Sequence, residues 1–418
     1  MLKLTSFSVL PVLDFKKPVL VKGKGAHVWD VQGNKYLDVN SGQFCSVFGH
    51  SDRKFAKLLK KIGKTLQDTD TGTLSKQVLD ATYKIKEIIP NMNPRTILLS
   101  TGAEANECCL KYAKFLKKKS GVVSFSQGYH GLTHGTAAYS MSRKRIRPEI
   151  DFSYDVPCPI WYKEEPMDKS ELQIYIDLFR KTCEQNFENI AVAIFEILVS
   201  GGGFLLPPPE YFQEIRKICD HYGIFLVFDE CQTGIGRTGS WFMYEKIGVI
   251  PDFITTGKAL GSGLPVSAVI ANGNKIMDEK FEMEYFSSHQ NEPFAGEIVN
   301  FVINRIIDEK LLERNVFSGY ELSKILQSLH RQELLENPRG IGLMQGFDLI
   351  NSESAESRND SQFLIELGIK NGILLQTCNY GRTVRLLPNY LITKSNFDEL
   401  DTKLGKTLKE YRETTATS

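Results

Sequence analysis

The sequence predicts an α/β fold: a large domain on a mainly parallel sheet, with a smaller α+β domain. Three observations carry the prediction. Short runs rich in β-branched and aromatic residues recur at 95–99, 121–125, 191–196, 224–229, 251–256 and 266–270, the pattern of strands buried on both faces. Beyond Pro293 the pattern changes to helices, two short strands around 339–350 and 374–387, and a final helix, the mark of an α+β unit. One buried run ends in Asp229 and the next is followed by Lys258; in open α/β sheets the carboxyl ends of the strands are where ligands bind.

Composition narrows the partners. The 418 residues are 42% hydrophobic, enough for a sizeable core, and 51 basic against 50 acidic residues leave a formal charge of +1. Such a balance suits neither a nucleic-acid groove nor an anionic membrane surface, and points to small ligands. The 8 cysteines are scattered with no Cys-x-x-Cys pair, which argues against a zinc site or disulfide framework and for a reducing compartment. Pro11 and Asp14 interrupt the first apolar run, so no signal peptide is expected. No apolar run approaches the roughly 20 residues that span a bilayer. A cytoplasmic protein is expected.

In chain order, 25–31 and 35–39 flank Gln32-Gly33-Asn34 and read as a β-hairpin of the small domain. A polar loop, Asn40-Ser41-Gly42-Gln43-Phe44, runs on to Gly49-His50, where the histidine is expected to be structural. Two helical stretches end near Ile89, with Pro90 and Pro94 as breakers. Strand 95–99 opens onto Ser100-Thr101-Gly102-Ala103-Glu104-Ala105-Asn106 and a helix over 107–117. That makes an anion cradle: first-turn amides lack intrahelical acceptors and the helix dipole favours negative charge.

Strand 121–125 leads to Gln127-Gly128-Tyr129-His130-Gly131, whose aromatic either packs on the sheet or faces a ligand. Segment 143–165 reads as loop, with Arg143, Lys144, Arg145 and Arg147 in a solvated turn. The tail after Glu413 is expected to be disordered. The expected domains are 1–50 (N-terminal segment of the small domain), 51–295 (large domain) and 296–418 (C-terminal small domain).

A carboxylate and a lysine at one sheet edge suit pyridoxal 5'-phosphate (PLP). The amine forms a Schiff base with the aldehyde, and the acid keeps the pyridine nitrogen protonated so that the ring accepts electrons. Taken singly, an Asp ending a strand more often caps a loop, and a lysine beside glycines is more often solvated. Together, with Gln232-Thr233-Gly234 between them and Thr255-Thr256-Gly257-Lys258-Ala259-Leu260-Gly261 beyond, they resemble the class III PLP-dependent aminotransferases of fold type I. The resemblance runs from about Val28 to about Ile392.

The resemblance implies a seven-stranded, mainly parallel sheet and a homodimer or tetramer with shared sites. It makes Lys258 the catalytic, cofactor-bearing residue. It implies phosphate contacts from the backbone of Gly102 and Ala103 and, across the subunit interface, from Ser288. Tyr129 and Cys231 would face the two sides of the ring, Asp229 its nitrogen and Gln232 its phenolate oxygen, with His130 and Glu196 also at the cofactor. Gln43 and Phe44 would line the substrate side. Arg385, between apolar residues in a short strand, would fork onto the substrate carboxylate. No metal is implied.

The chain departs from the family after strand 191–196, where Glu-Pro-x-x-Gly-Glu-Gly-Gly is common. Ile197 replaces the proline and Gly201 the second acid, which many ω-amino acid aminotransferases use to neutralise the substrate arginine. By motif the nearest branch is dialkylglycine decarboxylase: Ser41-Gly42-Gln43, Ser200 before glycines and Ser287-Ser288-His289 match it, while Phe44 and Gly201 stand in place of its Met and second Ser. The expected function is amino transfer from an amino acid, α-amino by preference, to a 2-oxo acid such as pyruvate. Alternatives are decarboxylation-dependent transamination, amino-acid racemisation and a non-enzymatic PLP-binding scaffold.

Overall fold

The computed structural model describes residues 18–141, 151–160, 167–276, 285–350 and 357–415. The expected basic turn at Arg143–Arg147 and the residues at Pro11 and Asp14 lie outside them. Three strands open the described chain: β1 (Leu20–Lys24), β2 (His27–Asp30) and β3 (Lys35–Asp38). β2 and β3 form the expected hairpin, with His27 opposite Leu37 and Trp29 opposite Lys35. Asp30 closes its turn, accepting the Gln32 and Asn34 amides at 3.0 and 2.8 Å and the Tyr36 hydroxyl at 2.7 Å. β1 joins β2 antiparallel; its Lys-Gly-Lys sequence carries no alternation that would mark a strand.

The large sheet comprises β4 (Arg95–Leu99), β5 (Gly121–Phe125), β6 (Ser153–Val156), β7 (Ile190–Phe195), β8 (Phe225–Asp229), β9 (Phe253–Thr256) and β10 (Ser267–Ala271). Its order is β4-β10-β9-β8-β7-β5-β6, seven strands. β6, β5, β7, β8 and β9 pair in parallel. β10 runs against both β9 and β4, so β4 points the same way as the parallel set. The sheet is therefore mainly parallel, as expected. β6 corrects the loop reading of 143–165: it is a four-residue edge strand, too short to show a period.

Alternation along the strands sends side chains to two layers. Phe125, Phe195, Leu226, Phe228 and Ile254 pack with Phe179, Tyr211 and Phe212, which belong to helices Lys169–Asn186 and Pro209–Tyr222. Val192, Ile194, Val227 and Phe253 pack on the other face with Ala105 and Cys109 of helix Gly102–Lys117. Each such fully buried side chain stabilises the fold by about 1.5–3 kcal/mol.

After Pro293 come helices Pro293–Asp308 and Leu311–Arg331, then β11 (Glu336–Ile341) and β12 (Met344–Asp348). Helix Ser357–Lys370 leads to β13 (Ile373–Leu374), β14 (Gln376–Cys378), β15 (Thr383–Leu386) and helix Lys394–Thr415. Each expected C-terminal strand is thus several short ones. β11, β12, β15 and β14 form one sheet, while β13 pairs in parallel with β3 and so binds the N-terminal hairpin to the C-terminal segment. The last helix runs past Glu413 to Thr415, against the expectation of a disordered tail there. No helix among the described residues is long and apolar enough to cross a membrane.

Arg237 ties these parts together from a fully buried position. Its guanidinium donates to the carbonyls of Leu343, Pro388 and Phe44 and lies 4.9 Å from the Tyr390 ring. A planar five-donor group suits three carbonyls that no water reaches.

Helices Lys76–Ile88 and Pro293–Asp308 meet at Gly296, where an added Cβ would fall 2.6 Å from the Gln77 carbonyl carbon and oxygen. Gly296→Ala gains helix propensity of up to about 1 kcal/mol, but overpacking backbone against backbone costs about 1–3 kcal/mol. We expect a net loss of stability in urea unfolding; an unchanged or raised midpoint would contradict this packing.

Candidate active site

The carboxyl ends of β4, β5, β7, β8 and β9 share one sheet edge, and each delivers part of a single site. β8 ends in Asp229, which is only 4% exposed. Its Oδ2 accepts from Asn106 Nδ2 at 2.7 Å and lies 2.8 Å from His130 Nδ1. Its Oδ1 accepts the Cys231 amide at 3.0 Å. Burial pushes the Asp229 carboxyl up, but the His130 hydrogen bond and the positive charges of His130 and Lys258 outweigh it, leaving the pKa below the ordinary carboxylate value. The group is held as an anion, ready for a cationic N–H partner.

Asn106 is fixed in turn. Its amide also donates to the His130 carbonyl at 2.9 Å, and its oxygen accepts from Thr255 Oγ1 at 2.5 Å. Asn106 carries no role in the sequence analysis, although it sits inside the quoted Glu104-Ala105-Asn106 run. Its link to Asp229 spans 123 positions, so no local pattern announces it.

Lys258 lies two residues beyond β9, whose Thr255 sits beside Asp229 in register. Its backbone is left-handed, φ 42°, an uncommon state for a non-glycine residue. Among the described residues no acceptor holds its ammonium. Gln232, half-buried, is likewise without a side-chain partner among them.

The helix expected over 107–117 in fact begins at Gly102. Thr101 caps it, its hydroxyl accepting the Glu104 amide at 3.2 Å. Gly102 and Ala103 are therefore first-turn residues whose amides have no intrahelical acceptor, which sharpens the anion cradle. The cradle is tight: a Cβ at Gly102 would lie 2.8 Å from Cys231 Sγ. Gly257, just before Lys258, is in van der Waals contact with it, its would-be Cβ 3.6 Å from the Gly102 nitrogen. Anion cradle, lysine and carboxylate are thus neighbours, and the donor set fits PLP.

Tyr129 is 45% exposed rather than packed on the sheet. Its amide donates to Glu196 Oε1 at 2.7 Å, and a Cβ at Gly201 would lie 3.3 Å from Tyr129 Cβ. Glu196 is buried, and burial lifts its pKa to about 7 despite the opposing charge of His130. Next to it Ser200 Oγ is buried with no hydrogen-bond partner among the described residues.

On the opposite wall stand the residues expected at the substrate. Phe44 is buried, with φ 67°, and its ring lies 4.6 Å from the Arg385 guanidinium. Arg385 donates from Nη2 to Gln376 Oε1 at 3.4 Å, and Gln376 donates to the Gly42 carbonyl at 3.1 Å. Arg385 has no carboxylate partner among the described residues, and its Nε is buried and unbonded. Gln43 is exposed on the same loop. Asp38 shapes that loop, accepting the amides of Asn40 and Gly42 and facing His50 Nε2 at 2.7 Å, so His50 is structural as expected. Gln376 and Asp38 were not foreseen; neither stands in a recognisable motif. Ser288 lies apart, in an exposed turn.

A buried carboxylate anion, a lysine whose amine has no acceptor among the described residues and a helix-start anion cradle on one edge of a mainly parallel sheet fit a PLP enzyme of fold type I. The chain belongs to the aminotransferase class-III family, whose model matches residues 14–408. It is therefore a PLP-dependent aminotransferase. It is 30% identical to an aminotransferase of Schizosaccharomyces pombe described as uncharacterized, over 95% of this chain and 93% of that protein. It is 29% identical to a leucine/methionine racemase of Thermococcus litoralis, over 94% and 91%. It is 30% identical to an acetylornithine aminotransferase of Methanothermobacter thermautotrophicus, over 94% of each. A solved omega transaminase of Pseudomonas jessenii in complex with PMP superposes with a TM-score of 0.89, at 20% identity and 97% coverage of each chain, and shares the fold.

Glu196 generates a pH prediction for the apoprotein. A carboxyl raised from 4.5 to about 7 binds its proton more tightly folded than unfolded. Its contribution to stability is therefore full below about pH 4.5 and is lost as pH rises to about 7. Glu196→Gln keeps an oxygen for the Tyr129 amide and removes this loss. Relative to the unmodified chain, the variant should gain on the order of 1–3 kcal/mol between pH 5 and pH 8 in urea unfolding. A difference that stays constant across that range would contradict the assignment.

Proposed function

We propose that the chain moves the amino group of an α-amino acid to a 2-oxo acid such as pyruvate, working as a cytoplasmic homodimer. The observation that carries the substrate class is Arg385. Stacked on Phe44 and, among the described residues, bonded only to an amide oxygen, it keeps its charge for an incoming carboxylate, because Gly201 supplies no acid to neutralise it.

PLP, when bound, supplies the electron sink that makes the substrate Cα–H bond acidic. The chain's residues do the rest. The Gly102 and Ala103 amides, with the helix dipole, would take the phosphate. Asp229 would accept the ring N–H and Gln232 would donate to the phenolate oxygen. Tyr129 and Cys231 confine the ring between them, with His130 and Glu196 fixing Asp229 and Tyr129. Lys258 Nζ would hold the cofactor, and its amine would serve as the base for the substrate Cα proton, assistance worth roughly 10²–10⁴-fold. Arg385 would hold the substrate carboxylate and so fix the orientation of the substrate Cα.

Ser288 is assigned to the phosphate of the neighbouring subunit. Its exposed turn stands next to Phe286, which is 73% exposed, as a residue covered by a second copy would be. The shared site makes the contribution reciprocal. For localisation, the support is the scattered, unpaired cysteines.

The resemblance to the dialkylglycine decarboxylase branch rests on Gln43 and the serine motifs, and supplies a second reading. Against it, Phe44 packs on the arginine and Gly201 removes a hydroxyl. Two measurements decide. Arg385→Lys should raise the KM for α-amino donors and lower kcat, by roughly 10–100-fold in kcat/KM, since losing the fork loosens the Cα–H alignment. Equal turnover of simple amines without a carboxylate, unaffected by the change, would contradict the proposal. With 2-aminoisobutyrate and pyruvate we expect no carbon dioxide; stoichiometric carbon dioxide and alanine would establish the decarboxylating reading instead.

A further inference from the structure

We infer that Glu104 and Ser287 form a latch between the two sites of the dimer: the helix that holds one subunit's phosphate also steadies the loop lent to the other. The inference rests on the proposed homodimer and on Ser288 serving the partner's phosphate. Glu104 and Ser287 are then positioning residues, acting through Ser288.

The latch is visible bond by bond. The Ser287 hydroxyl donates to Glu104 Oε1 at 2.7 Å. Glu104 Oε2 accepts the Ser100 amide at 2.9 Å, and the Glu104 amide donates to the Thr101 hydroxyl at 3.2 Å. The carboxylate is thereby fixed within the first turn of the phosphate helix. On its other side the loop is sewn to β4: the Asn291 amide donates to the Leu98 carbonyl and the Leu98 amide to Asn291 Oδ1, both at 2.9 Å. Between these anchors, the Ser287 amide donates to Gln290 Oε1 at 3.2 Å and the Gln290 amide to the Ser287 carbonyl at 3.1 Å. Ser288 and His289 sit at the exposed tip of the tight turn so formed.

Both ends of the turn therefore stand on the strand–helix unit whose Gly102 and Ala103 amides form the cradle. Electrostatics sharpens the point. An acid in a helix first turn favours the dipole, but it repels a phosphate bound at the same terminus. Affinity for its own subunit's phosphate gives no reason for Glu104 to be an acid, whereas holding a hydroxyl and an amide at once requires two strong acceptors.

The test reads cofactor retention rather than turnover. PLP loss from the diluted holoenzyme is followed by absorbance for the unmodified dimer and for Ser288→Ala, Ser287→Ala, Ser287→Thr and the double alanine variant. Ser288→Ala and Ser287→Ala should each speed loss roughly 3- to 10-fold. The double variant should be no faster than Ser288→Ala alone, and Ser287→Thr should restore retention. A mixed dimer shows the direction. One protomer carries Ser287→Ala with Lys258→Ala and is stripped of PLP; the other is unmodified. The remaining PLP should leave at the fast rate. Slow loss from that mixed dimer, or Ser287→Ala silent where Ser288→Ala is fast, would overturn the latch while leaving the role of Ser288 intact. If Ser288→Ala is silent too, the assignment of Ser288 falls and the latch with it.

Discussion

The site depends on keeping one carboxylate ionised where water does not reach. Burying an unpaired charge is costly, and Asp229 is surrounded by the means to avoid it: a histidine, an asparagine amide and a backbone amide. Two other acids at the same sheet edge show what happens without the first of these. Glu196 and Glu230 are buried like Asp229 and accept backbone amides, but neither has a histidine bonded to it, and burial lifts both to about 7. The direct His130 bond separates an acid held as an anion from two that take up a proton near neutrality.

That requirement organises parts distant in sequence. Asp229 closes β8, Asn106 comes from the phosphate helix, His130 from the turn after β5 and Thr255 from β9, so fixing one carboxylate fixes four elements relative to one another. The wall that carries Phe44 and Arg385 is joined to them by cationic clamps and backbone bonds. Arg339 donates to the Gly203 carbonyl and pairs with Asp348 at 2.7 Å, and the Asn379 amide donates to the Gly201 carbonyl at 3.0 Å. The glycine turn under Tyr129 is thus held by the C-terminal sheet that also carries Arg385. Arg237 does the same for the Phe44 loop. These backbone ties act together with a buried apolar cluster of Phe44, Leu198, Phe204, Met344 and Leu387.

What could be read from the sequence follows from how local each signal is. Buried parallel strands are continuous apolar runs, so β4, β5, β7, β8 and β9 are legible, as is the placement of Asp229 and Lys258 at or just past their carboxyl ends. The helix start at Gly102 was placed five residues late, because Gly-Ala-Glu-Ala-Asn reads as loop until Thr101 is seen as its cap. β1, β6 and the division of the C-terminal strands carry too few residues for a period. Asn106, Gln376 and Asp38 act through contacts 123, 9 and 12 residues away or through a loop's own amides, which no composition or spacing reveals. Arg237 looks like a loop arginine and is a fully buried tie.

The central claim is that Lys258, beside the ionised Asp229, carries the cofactor. Borohydride reduction of the holoenzyme followed by peptide mass analysis tests it most directly. The geometry predicts one pyridoxyl group per chain, on the peptide containing Lys258, and none in Lys258→Ala. A label on any other lysine, or full labelling of the variant, would contradict the account.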